Sequence, residues 1–117
     1  MDIYEKMRKS DATVNATLLA CEMPIRSTRW YIEPATNDKG EVDNKDQEVA
    51  DFVSEALFDK MEQSWDDHLR EVLTMFSFGF SIFEKVFKFE DGKVWIKKLG
   101  MRKQTTIEKW EMEDGTP

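Results

Sequence analysis

Apolar positions recur along this chain first with a helical period, then with an alternating one. Over residues 2–26, Ala12, Ala16 and Ala20 join Val14, Leu18 and Leu19 in a compact apolar face, which predicts helix. Ser10-Asp11 supplies capping oxygens for a helix running to about Met23, and Pro24 marks an end or a kink. Trp30 and Ile32 then alternate with Tyr31 and Glu33, the pattern of a short half-buried strand closed by Pro34. Residues 34–46 are polar and carry no aromatic, so they read as a solvated loop. From about Asn44 a second helical rhythm begins, with Val49, Phe52, Val53, Ala56, Leu57 and Met61 on one face. Ser64 is placed to cap a further helix, with Asp66 and Asp67 in its first turn, where the helix dipole favours acids. Trp65, Leu69, Val72, Leu73 and Phe76 form its face, and Gly79 ends it. The short link predicts that these two helices pack as an antiparallel pair.

The period then becomes two. A strand is predicted from Phe80 to about Phe89, a turn at Glu90-Asp91-Gly92, and a return strand from Lys93 to about Met101. Two registers compete. A two-residue Asp-Gly turn sets Glu84 opposite Leu99. A three-residue loop sets Glu84 opposite Lys98, Val86 opposite Ile96 and Phe87 opposite Trp95. The second is preferred, because like then pairs with like and the carboxylate gains a cation. A third strand is expected from Thr106, with Trp110 and Met112 on one side. Glu-Asp-Gly recurs at 113–115, a turn signal with no return strand before Pro117. An open sheet edge of that kind is one that complete domains protect. The expectation is a piece of something longer, or a strand supplied by a partner chain.

These elements make an α+β chain: N-terminal helix, short strand, antiparallel helix pair, antiparallel β-hairpin and a further strand. Its 117 residues are enough for a single domain, 1–117, with the 34–46 loop inside it. The chain holds 24 acidic and 17 basic residues, a net charge of −7, which argues against gripping nucleic acid by its phosphates. The same charge disfavours a base-stacking platform made from the phenylalanines around the hairpin. Cys21 stands alone, so no internal disulfide forms, and it reads as a small apolar helix residue. His68 has no potential metal ligand one helical turn on, and reads as structural at the edge of its apolar stripe. The acids of the 34–46 loop are out of step with a calcium-binding loop, since the sixth residue after Gly40 is Asp46. There is no apolar run long enough for a signal peptide or a membrane span. No phosphate-cradling glycine loop and no nucleophile–base pair is present, so neither an enzyme nor a cofactor is expected.

The order of pieces carries a resemblance. An alanine-rich helix, RWYIEP, a polar loop, WDDHLREVLTMFSFGFSIFEKVF and GKVWIKKLGMRKQTTIEKW together resemble the portal proteins of phages, most closely those of Mu-like phages and prophages. FGFSIFEKVF, followed by the glycine-turn hairpin and KLGMR, is its most specific part; Trp30, Ile32 and Pro34 add to it. The resemblance covers nearly the whole chain but only the early part of such a portal, without counterparts of its stem, clip and crown. It implies a structural protein of the virion's portal vertex, present in the host cytoplasm during assembly. It implies a homo-oligomeric ring, commonly a dodecamer, that works with a terminase and with head and tail proteins. Double-stranded DNA passes through such a ring without being tightly bound, and no membrane is involved. The alternative is a stand-alone prophage-derived module for protein–protein interaction.

Glu84-Lys85 matches the charged pair of the family's strand. A carboxylate on so apolar a strand needs a partner, because an unpaired buried charge is costly. Two readings stand: an internal pair with Lys98, or a contact between subunits. Trp30, Glu84, Lys85 and Lys98 are therefore the candidate structural or subunit-contact residues.

Overall fold

The computed structural model describes residues 2–107. The chain is α+β. Helix α1 (Asp2–Ser10) and helix α2 (Ala12–Ser27) are separated only by Asp11. The Asp11 carboxylate explains the break: its Oδ1 accepts from the backbone N–H of Thr13 at 2.9 Å and of Val14 at 3.0 Å, capping α2. Pro24 lies inside α2, which continues to Ser27, so the proline does not end it.

RWYIEP is not a strand. Residues 29–36 carry no regular secondary structure. Alternation alone cannot make a strand without a neighbour to take its backbone hydrogen bonds, and here the segment is fixed by side chains instead. Trp30 Nε1 donates to the Ile25 carbonyl at 3.3 Å, and its ring meets Trp65 edge-on at 6.1 Å.

Helix α3 (Asn44–Ser54) passes directly into a π-helical turn, Glu55–Asp59, where Lys60 N–H donates to Glu55 O at 2.9 Å. Of the predicted face Ala56 and Met61 are buried, whereas Val49 and Phe52 are 56% and 41% exposed, and Ala50, which lay outside that face, is buried. Helix α4 (Trp65–Val72) is capped by Ser64, whose Oγ accepts from Asp67 N–H at 3.1 Å. A short α5 (Met75–Phe78) ends at Gly79, whose φ of 83° is a conformation that glycine adopts without strain.

Strands β1 (Ile82–Glu90) and β2 (Lys93–Arg102) form a two-stranded antiparallel sheet. Asp91 and Gly92 both have positive φ, 53° and 75°, so the connection is a two-residue turn of the primed kind that matches strand twist. That corrects the preferred register. Near the turn Phe89 faces Val94, Lys88 faces Trp95 and Phe87 faces Ile96. The register then slips, so that Val86 faces Lys98 and Glu84 faces Gly100. Lys97 is the extra residue of this bulge, and its carbonyl accepts from Glu62 N–H at 2.9 Å.

The bulge and the sheet's twist change which face of the hairpin is packed. Near the turn the face bearing Trp95 is inward: Trp95 is 2% exposed and stacks on Phe52 at 4.9 Å. At the base the other face is inward, where Phe83 meets His68 at 4.7 Å. Past β2, Gln104–Thr106 is a single 3-10 turn rather than the start of a third strand. Gln104 is 3% exposed, and its Nε2 donates to Thr74 Oγ1 at 2.7 Å and to Phe80 O at 3.0 Å, tying the base of the hairpin to the α4–α5 junction. The rest of the expected third strand, with Trp110 and Met112, lies outside the described residues.

Candidate interaction surfaces

The four candidate residues do not gather into one pocket. Glu84 is exposed, and its carboxylate takes the guanidinium of Arg102 rather than Lys98. This overturns the internal Glu84–Lys98 pair. The bulge moves Lys98 opposite Val86, while Arg102, across from Ile82, lies on the same face as Glu84. Lys85 faces Leu99, and Lys85 and Lys98 are both exposed. Trp30 sits elsewhere, 46% exposed against α4.

Three features of the molecule were not foreseen from the sequence. The first surrounds His68. It is 7% exposed, its ring between Trp65 at 5.3 Å and Phe83 at 4.7 Å. Burial pushes its pKa below the ordinary 6.5, and the charge of Glu71 partly opposes this. The aromatic ring partners in sequence could have signalled a buried imidazole, but only the fold brings Phe83 to it.

The second is the clamp on the hairpin turn. Lys60 Nζ lies 3.6 Å from Asp91 and 4.0 Å from both Glu90 and Glu55, with its charge over the Trp95 ring at 5.3 Å. Lys88 bonds Glu90 at 3.0 Å and, with Lys60, holds that carboxyl below the ordinary range. Trp95 Nε1 donates to Glu90 O at 3.1 Å. The π-helical turn and the hairpin tip are thus fastened by one lysine placed between three carboxylates.

The third is the outer face of the tip. Phe87, Phe89 and Val94 are 56%, 76% and 59% exposed. Alternation places all three on the side of the sheet away from Trp95. Apolar exposure also occurs far from the tip, at Ile3 and Tyr4 of α1. An open cleft of about 610 Å³ lies where α1, α5 and the end of β2 meet, lined by Glu5, Arg8, Lys9, Phe78, Lys103 and Gln104 among others. Glu5 is bonded to Lys9 at 2.6 Å there, so the cleft carries paired rather than free charge on that side.

Charge is unevenly distributed. Residues 82–103 hold seven basic against three acidic side chains, whereas residues 33–59 hold nine acidic against two basic. Among the described residues, no helix is long and apolar enough to cross a membrane, and no cluster of three metal-ligating side chains occurs. Exposed apolar side chains and segregated charge are thus distributed over separate surfaces.

Comparison with known proteins agrees with that character. A family model described as the portal protein of Mu bacteriophage matches residues 1–116. Among curated proteins and among solved structures, nothing matches.

Proposed function

This chain belongs to the portal protein family of Mu bacteriophage, and on that premise we propose that it is a structural part of a portal ring. The family gives the chain a portal-related structural role in the phage particle, within an oligomeric assembly that includes capsid and tail components. The finer reading is that the ring passes double-stranded DNA during packaging and ejection and joins head to tail. Residues 1–117 act in it as one unit of the ring body, and twelve copies are the expected number. Trp30, Lys85 and Lys98 serve as subunit-contact positions. Glu84 contributes through its pair with Arg102.

The observation that carries this reading is the family match over residues 1–116. The physical character of the chain supports it: exposed apolar residues on separate faces, segregated charge and side chains arranged for contact. The acidic net charge suits a wall past which DNA slides, because a basic wall would hold the phosphates.

The test is genetic. A phage or prophage carrying this gene with codons 1–117 deleted in frame is induced, and its particles are examined by electron microscopy. Heads without packaged DNA, rescued by the intact gene in trans, are expected. DNA-filled, tailed particles from the deletion strain would overturn the proposal.

A further inference from the structure

We infer that His68 is an acid-released catch at the base of the hairpin: once protonated, its ring leaves Trp65 and Phe83, and β1 lifts from α4 at Phe83 while the tip stays fastened. The inference goes beyond the portal reading and does not rest on it. The hairpin is held at two separate places. At the tip, Trp95 stacks on Phe52 at 4.9 Å, and Lys60 lies 3.6 Å from Asp91. At the base, Phe83 of β1 meets the His68 ring edge-on at 4.7 Å. The bulge opposite Val86 and Phe87 lies between the two, and a bulge interrupts the ladder where a strand bends. Gln104, bonded to Thr74 and Phe80 through groups that do not titrate, serves as the pivot.

Only one of the two attachments responds to mild acid. His68 is 7% exposed, and its Nδ1 is buried with no hydrogen-bond partner among the described residues. An imidazolium donates from both nitrogens, so in this setting the added proton has no acceptor and the charge no solvent. The neighbouring charges are already engaged. On α4, Asp66 is taken by Arg26 and Arg70, and Asp67 by Arg70. On β1, Glu84 and Lys85 flank Phe83; both are exposed, and Glu84 is held by Arg102. Helix α5 carries no charged side chain. Burial of the ring disfavours its charged form, and Glu71, one turn on in α4, only partly opposes this. An imidazolium that leaves the two rings gains water and the Glu71 carboxylate. At the tip, Lys88 and Lys60 hold Glu90 below its ordinary 4.5, so at pH 5.5 it keeps its charge and the fastening persists.

Two indole N–H groups of the 117-residue chain report on the two places. Trp65 Nε1 is buried without a partner on a ring that touches His68, and Trp95 Nε1 donates to Glu90 O at the tip. Their hydrogen exchange is followed by NMR at pH 7 and pH 5.5. Each rate is divided by that of free N-acetyltryptophanamide, which removes the intrinsic pH dependence. The ratio for Trp65 should rise about three- to tenfold at pH 5.5, tenfold being the ceiling one pH unit below 6.5. At pH 5.5 Trp65 should also exchange faster than Trp95 and hardly respond to dilute urea, because a local opening exposes little surface. A His68→Phe variant should lose the rise, and Glu71→Gln should reduce it. If His68→Phe does not fold, the pH and urea comparison of the two indoles in the unaltered chain decides. A rise below threefold at Trp65, a rise retained in His68→Phe, or equal rates and equal urea response at both indoles would overturn the inference.

Discussion

His68 shows how a single side chain can tie stability to pH. It lies between two aromatic rings, and burial lowers its pKa below 6.5. Above pH 6.5 the imidazole is neutral in both folded and unfolded chains and has no effect on the balance. As pH falls through 6.5 the unfolded chain takes up a proton that the folded chain resists, so stability is lost on the acid side. A melting temperature lower by roughly 2–5 °C at pH 5.5 than at pH 7 is expected, read by circular dichroism. A His68→Phe variant should flatten that dependence; an unchanged slope would assign it to another group. Asp66 and Glu90, held low by Arg26 and Lys88, give up their contributions at more acid pH, below their ordinary values of 3.8 and 4.5. Sequence reasoning recognised His68 as structural but set it at the edge of a stripe. What buries it is Phe83, fifteen residues on, and a helical wheel contains no such neighbour. Glu84 is similar: its need for a cation was legible, but the identity of that cation depended on a one-residue slip between strands.

Elements were most legible where local chemistry decides them. Asp11 and Ser64 cap the helices that follow them, and Gly79 closes α5 in a left-handed conformation; the place of the hairpin turn was legible too, but not its two-residue form at Asp91-Gly92. Each depends on a few consecutive residues. The departures depend on distant ones. RWYIEP alternates as a strand would but has no partner strand, and the bulge at Lys97 is anchored by Glu62 from before α4. Nothing in the strand's own pattern marks the point where its packed face changes. The consequence is measurable in two aromatic residues of the hairpin. Trp95→Ala empties a site that is 2% exposed and stacked on Phe52, and should cost about 3–5 kcal/mol. Phe89→Ala, at a site 76% exposed, should change the stability of the dilute chain by less than about 0.5 kcal/mol. Urea unfolding of both variants decides it. Equal losses would mean that the outer face is packed as tightly as the inner one.

At the scale of the whole molecule, the chain is more open than its length requires. Its radius of gyration is 18.4 Å, against about 13 Å for a compact domain of this size. The described buried apolar residues are Ala50, Ala56, Met61, Leu69, Leu73 and Trp95, all between α3 and β2. Helices α1 and α2 contribute only Glu22 to the buried set, and it stands 3.8 Å from Arg8. They are joined to the rest by Arg26 on Asp66 at 3.2 Å and by Trp30 on Trp65. Apolar burial is the main favourable term in folding, so resistance to opening should follow its distribution. Native-state hydrogen exchange should therefore divide the chain in two. Backbone amides of α4, β1 and β2 are expected to exchange slowest, at the rate set by global unfolding. Those of α1 and α2 should exchange through a smaller opening that leaves the hairpin closed. The ordering should reverse nowhere within Asp2–Ser27, because no large apolar side chain there is buried. Equal protection in both blocks would mean that the ion pair and the tryptophan contact couple them into one cooperative unit.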